Sequence, residues 1–175
     1  MMKRLFILLF CVLSLSVRGQ ENSQVANVFM FVGDSIYRID PVVTQTEYKS
    51  GWKFLDIQTD GRMTRYLWGQ HSRQLADDRQ PRMIIDTKRY KINDFTVIKL
   101  KEKKQYRKFS SHSIFECEGR IIDLDYMAIS SLGGSRYEVK PHVPMEPGEY
   151  VIANLKSEPT NEYGDVYVFP FTIVR

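Results

Sequence analysis

Cysteine is scarce in this chain: there are two, Cys11 and Cys117. Cys11 lies inside an apolar N-terminal run, so one cysteine is left for everything after it. That excludes the internal disulfide framework that staples small secreted domains. Histidine is scarce too. His71, His112 and His142 stand far apart and show none of the short-range pairing typical of zinc ligands. Beyond residues 5–15 no apolar run is long, which excludes a helical membrane protein. Ten glycines and seven prolines in 175 residues, without a repeat, exclude collagen-like and low-complexity classes. The helical period of 3.6 is weak throughout, so coiled coils fail as well.

What is present is a core. Hydrophobic residues make up 43% of the chain, and ten Phe, ten Tyr and two Trp bring aromatics to 13%. Such a chain buries enough apolar surface to fold, and disorder is excluded as its main state. Lys3 and Arg4 precede the apolar residues 5–15, and Val17-Arg18-Gly19 follow. This pattern predicts a signal peptide over residues 1–19, with a cut after Ser16 as the competing site. It implies an exported protein, in the periplasm or at the cell surface, with no transmembrane segment after cleavage. Phe10 is too bulky to precede a lipidated Cys11. Removing Lys3, Arg4 and Arg18 leaves 22 basic against 21 acidic residues, so most of the basic excess belongs to the export signal.

The dominant period in the rest is two, the mark of half-buried strands. Residues 28–32 and 35–39 flank Gly33-Asp34 and read as a hairpin. Residues 52–57 and 63–68 flank Thr59-Asp60-Gly61, a second hairpin signal. Residues 71–81 are polar and without period, a linker. Strand patterns resume at 82–86, 94–100, 105–110, 113–129 (broken near Gly119), 136–140, 150–155 and 166–174. The expectation is an all-β, antiparallel β-sandwich protein: a smaller N-terminal β-hairpin region over residues 20–70, and an immunoglobulin-like sandwich over residues 82–175. In the last strand Tyr167, Phe169, Phe171 and Ile173 share one face, read as core. Pro170 lacks a ladder donor, which predicts an edge strand or a bulge.

Several motifs carry resemblances. Pro147-Gly148-Glu149-Tyr150 resembles the tyrosine corner of immunoglobulin-like sandwiches, in which the Tyr hydroxyl ties its strand to the preceding turn. Taken with residues 31–37, Gly69-Gln70-His71-Ser72-Arg73 and residues 79–85, it makes the chain similar to a group of secreted β-rich proteins of Bacteroidetes-type bacteria. That resemblance implies a β-rich exported protein and brings no catalytic residues. The final hairpin also resembles periplasmic copper-carrier sandwiches, but it lacks the histidines of a copper site.

Gly33-Asp34-Ser35 resembles the nucleophile block of GDSL-type hydrolases, which would make Ser35 the nucleophile. Such an enzyme also needs an Asp three residues before a His, and no histidine here has one. The segment reads instead as a hairpin turn. Cys117 shares a strand face with Phe115 and reads as a buried thiol. Asp123 and Asp125 share a face and read as solvated. No metal or cofactor is expected.

The charge distribution is uneven. Residues 82–108 hold ten Lys/Arg against three Asp/Glu, whereas residues 109–175 hold five against ten. Lys99, Lys101, Lys103, Lys104, Arg107 and Lys108 would project as a cationic strip from a hairpin. Such a strip suits an anionic glycan, a lipid headgroup or an acidic envelope protein; lysines on an exposed strand also discourage edge-to-edge aggregation. Aromatic residues interleave too thinly around Tyr106 for nucleic acid. Most strands are too short for an outer-membrane barrel. The expected function is an exported, non-catalytic binding or structural module; the alternatives are a GDSL-like hydrolase using Ser35 and a small-ligand carrier.

Overall fold

The computed structural model describes residues 25–49, 53–54, 57–58, 62–111, 120–122, 126–154, 160–162 and 164–174. Residues 1–19, expected as a signal peptide, lie outside them, as do the Asp60-Gly61 turn, His112, the Cys117 face and the Asp123/Asp125 pair. The first strands are β1 (Asn27–Val32), β2 (Ser35–Ile39), β3 (Val42–Val43), β4 (Gln45–Lys49), β5 (Lys53–Phe54) and β6 (Ile57–Gln58). Next come β7 (Arg62–Trp68), β8 (Leu75–Ala76), β9 (Met83–Asp86), β10 (Phe95–Lys99), β11 (Lys101–Glu102) and β12 (Tyr106–Ser111). The last are β13 (Arg120–Ile122), β14 (Met127–Gly133), β15 (Arg136–Pro141), β16 (Gly148–Asn154) and β17 (Tyr167–Ile173). Residues Ile92–Asp94 form a short helical turn.

Three sheets account for nearly all of this. A front sheet runs β14-β15-β9-β1-β2, a central sheet β13-β10-β16-β17-β3, and a rear sheet β11-β12-β7-β4. β5 and β6 form a small separate pair. Pairing is antiparallel except where β8 runs parallel to β17. Alternation explains the layering. On β16, Tyr150 and Ile152 pack with Val28, Met30, Met83 and Ile85 of the front sheet, while the intervening Val151 and Ala153 pack with Leu67 and Phe109 of the rear sheet. The central sheet is therefore buried on both faces, which is why β16 and β17 read as nearly continuous apolar runs. The fold is an all-β, antiparallel, sandwich-like stack.

The strand pairing runs across the boundary drawn between residues 20–70 and 82–175. β1 pairs with β9, β3 with β17, and β7 with β12. Two chain segments also pass from one sheet to the next. After β3, Thr44 is fully buried, and β4 continues in the rear sheet. The Thr44 N–H donates to the Val166 carbonyl and its hydroxyl accepts from the Val166 N–H, so both N–H groups are satisfied at the crossing. Likewise Leu100 separates β10 from β11 and donates its N–H to the Glu149 carbonyl. The stretch 71–81, expected as a linker, contains β8 and is built into the stack.

The β1–β2 hairpin forms as expected, with Val32 opposite Ser35 across Gly33-Asp34. Gly33 has φ +57°, a conformation that favours glycine. Pro170 departs from expectation. β17 is neither a free edge nor bulged at Pro170, which pairs with Val151 of β16. On the other side of β17, β3 covers Tyr167 and Val168 while β8 covers Thr172 and Ile173. The N–H groups of Val166 and Thr172 point to that side, and by alternation the missing N–H of Pro170 would too. The proline thus occupies the gap between two short partners, where no donor is needed.

Candidate functional site

The rear sheet carries the basic hairpin. β11 and β12 are joined through Lys104-Gln105, and the Lys103 N–H donates to the Tyr106 carbonyl at 2.9 Å. Alternation then sorts the side chains. Arg107 and Phe109 of β12, with Arg65 and Leu67 of β7, turn inward and are buried. The residues between them turn outward. In the register, Tyr106 stands opposite Trp68, and Lys103 closes that row. The next row runs Lys101, Lys108, Tyr66 and Gln45. The exposed part of the face ends at Thr64 and Ser110, both buried, with their hydroxyls 3.4 Å apart.

Three aromatic rings interlock on this face. Tyr106 meets Tyr66 edge-on at 5.4 Å and Trp68 edge-on at 6.0 Å between centroids. Their polar atoms are tied down: Trp68 Nε1 donates to Gln45 Oε1 at 2.6 Å, and the Tyr66 hydroxyl donates to Glu47 Oε2 at 2.6 Å. Trp68 remains 61% exposed, and a large, oriented and exposed aromatic ring is the usual raw material of a contact surface.

The six-residue cationic strip expected from sequence divides three ways. Lys101, Lys103 and Lys108 share the outward face, with exposed Lys104 at its turn. Lys99 belongs to the central sheet; its Nζ donates to Glu146 Oε2 at 2.7 Å and lies 5.9 Å from the Tyr150 ring centroid. Arg107 is only 4% exposed and turns into the interior. The sheet change at Leu100 separates Lys99 from Lys101, and strand alternation sends Arg107 to the opposite face from Lys108. Glu102 also alternates away from Lys101 and Lys103, which leaves the outward end of the face rich in lysine.

Arg107 reaches a buried carboxylate. Its Nη1 donates to Glu149 Oε2 at 2.6 Å and to the Ser72 hydroxyl at 2.7 Å. Glu149, 1% exposed, also accepts from the Ser72 N–H at 3.0 Å and the Ser72 hydroxyl at 2.9 Å. Its Oε1 accepts from the Thr172 hydroxyl at 2.6 Å and lies 3.2 Å from His71 Nδ1. Burial alone would push the Glu149 carboxyl up. The hydrogen bonds from Thr172, Arg107 and Ser72, together with the Arg107 charge, outweigh burial and hold it below the ordinary range. This knot joins β12, β16, β17 and the loop after β7. That loop is further fixed by the Gly69 N–H on the Gln105 carbonyl and Gln70 Nε2 on the Lys104 carbonyl. Between loop and hairpin lies an open cleft of about 430 Å³, lined by Gln70, His71, Glu102, Lys103 and Lys104.

The Ser72 hydroxyl is held between Arg107 and Glu149, and His71 Nδ1 lies at the other carboxylate oxygen. The knot positions the hairpin. Ser35 lies in the exposed β1–β2 turn region, and among the described residues no hydrogen bond joins it to a histidine.

The tyrosine-corner bond is present. The Tyr150 hydroxyl donates to the Glu146 carbonyl at 2.7 Å. Gly148 in the same turn has φ +142°, and a Cβ there would meet Lys99 Cε at 3.1 Å. Tyr150→Phe keeps the ring and removes this bond. The expected loss is about 1 kcal/mol, a fall of about 2–4 °C in Tm for a chain of this size, measured by calorimetry.

Sequence reading found the lysines and the corner but missed Glu149, Ser72 and the aromatic group. Tyr66, Trp68 and Tyr106 each sit at alternate strand positions, a visible signal, but nothing in the sequence aligns β7 with β12. In comparisons with known proteins, the chain matches no family model, no curated protein and no solved structure.

Proposed function

We propose that the protein is an exported, non-catalytic binding module that holds an anionic partner against the outward face of the rear sheet. The observation that carries this reading is the gathering of Lys101, Lys103 and Lys108 on one face, with Lys104 at the adjoining turn. Among the described residues no carboxylate pairs with Lys103 or Lys104. Clustered cations with the acidic alternate position turned away raise the local potential and attract polyanions. Edge protection explains less. β11 is an edge strand, but Lys108 lies on β12, which is paired on both sides. Export is supported by the basic and apolar pattern of residues 1–19. The non-catalytic reading is supported by the engaged state of Ser72 and the turn position of Ser35.

The test is equilibrium binding to two carboxylated polymers, poly-L-glutamate and polygalacturonate, over a salt series. The wild-type protein binds at least one of them, with affinity falling as salt rises. Lys103→Glu/Lys104→Glu weakens that binding tenfold or more and flattens the salt dependence. Failure to bind either polymer, or binding indifferent to the double reversal, overturns the reading.

A further inference from the structure

We infer that the anionic partner is an acidic polysaccharide, its sugar rings resting on Trp68 and Tyr106 while its acid groups meet the neighbouring lysines. This inference rests on the anionic-partner reading and names the partner's chemistry. A chain of simple carboxylates, such as an acidic protein segment, needs only cations. The face offers more than cations. Lys103, Tyr106 and Trp68 form one cross-strand row, and Lys101, Lys108 and Tyr66 form the next. Each row therefore sets charge beside an aromatic ring on one pleated surface, with neighbouring strands roughly 5 Å apart. A pyranose presents an apolar C–H face and, in an acidic sugar, a carboxylate at its rim. That pairing of surfaces matches an aromatic ring beside an ammonium group.

The rings are also held in advance. Trp68 is fixed through Nε1 to Gln45, Tyr66 through its hydroxyl to Glu47, and Tyr106 is wedged edge-on between the two rings. The strand beneath is anchored by Arg107 in the Glu149 knot. Little side-chain freedom is lost when a ligand arrives. Glu47 lies beyond Tyr66 on the same face, so the lysine-rich end is the one with Lys101, Lys103 and Lys104.

The experiment compares polygalacturonate with poly-L-glutamate of matched charge and length, and with neutral dextran as a third probe. The wild-type protein is expected to bind polygalacturonate at least tenfold more tightly than poly-L-glutamate. Trp68→Ala removes most of that advantage while leaving poly-L-glutamate binding within about twofold, and that second affinity also reports that the variant is folded. Trp68→Phe, which keeps a flat ring, retains part of the advantage. Equal binding of the two polyanions, or an advantage that Trp68→Ala leaves intact, overturns the polysaccharide inference while the anionic-partner reading stands. Tighter binding to poly-L-glutamate assigns the face to an acidic protein and also overturns it. Binding to dextran that equals binding to polygalacturonate removes the role of charge and overturns both.

Discussion

Arg107→Met is expected to lower the unfolding temperature by roughly 10 °C. The substitution leaves Glu149 buried with its cation gone, and stranding one partner of a buried ion pair costs about 3–5 kcal/mol. At about 2–4 °C per kcal/mol for this chain length, that gives the stated shift. The pair is not a large net stabiliser in itself. Arg107 Nε is buried without a partner among the described residues, so part of the desolvation cost is never recovered. A double variant, Arg107→Met/Glu149→Leu, removes the stranded charge. It should recover part of the loss but not all, because the Ser72 N–H and hydroxyl and the Thr172 hydroxyl then lose their acceptor. A double variant no more stable than Arg107→Met would show that the charge was not the cause.

The same knot sets an acid limit. The folded-state carboxyl of Glu149 is held below its ordinary value. The unfolded chain therefore takes up a proton first as pH falls, near the usual glutamate value of about 4.3. The stability contributed by the ionised carboxylate is full above that value. It is lost progressively as pH falls through the lower folded value. Stability measured by urea unfolding should be flat in this contribution from neutral pH down to about 5 and then drop. Glu149→Gln flattens the drop, at the cost of lower stability at neutral pH.

Phe171→Ala is expected to cost about 3–5 kcal/mol, a loss comparable to that of Arg107→Met. Phe171 is fully buried between front and central sheets, and its ring stacks on Tyr150 with centroids 5.5 Å apart and planes 20° apart. Packing on both sides of the central sheet leaves little room for neighbours to collapse into the void. The denaturant midpoint reads the effect, with the m-value unchanged if the fold persists. Val42→Ala, on the short β3 at the outer edge of β17, supplies the contrast. Val42 is 39% exposed, so its truncation should change stability by no more than about 0.5 kcal/mol. Losses of similar size at the two positions would contradict the three-layer arrangement.

Much of this protein is legible in its sequence. Short, largely apolar segments bounded by turn or polar residues gave away the strands at 28–32, 35–39, 82–86 and 166–174. Gly33-Asp34 marked its hairpin because the turn needs a positive φ. The Pro147-Gly148-Glu149-Tyr150 turn announced the hydroxyl bond that the Tyr150 ring makes to Glu146. The lysines of residues 99–108 were visible as a cluster.

What alternation cannot specify is which strands become neighbours. That choice placed strands from residues 27–68 in the same sheets as strands from 83–173, and it covered β17 in two pieces around Pro170. It also decided the fate of the basic cluster. A one-residue step in a strand reverses the face, so Lys108 reached the outside while Arg107 reached Glu149. Composition and period by themselves determined a β-rich chain with a cationic hairpin. Tertiary structure alone decided that Trp68, Tyr66 and Tyr106 would stand beside Lys101, Lys103 and Lys108, because cross-strand register is settled by burying both faces of the central sheet at once, and no local pattern contains that condition.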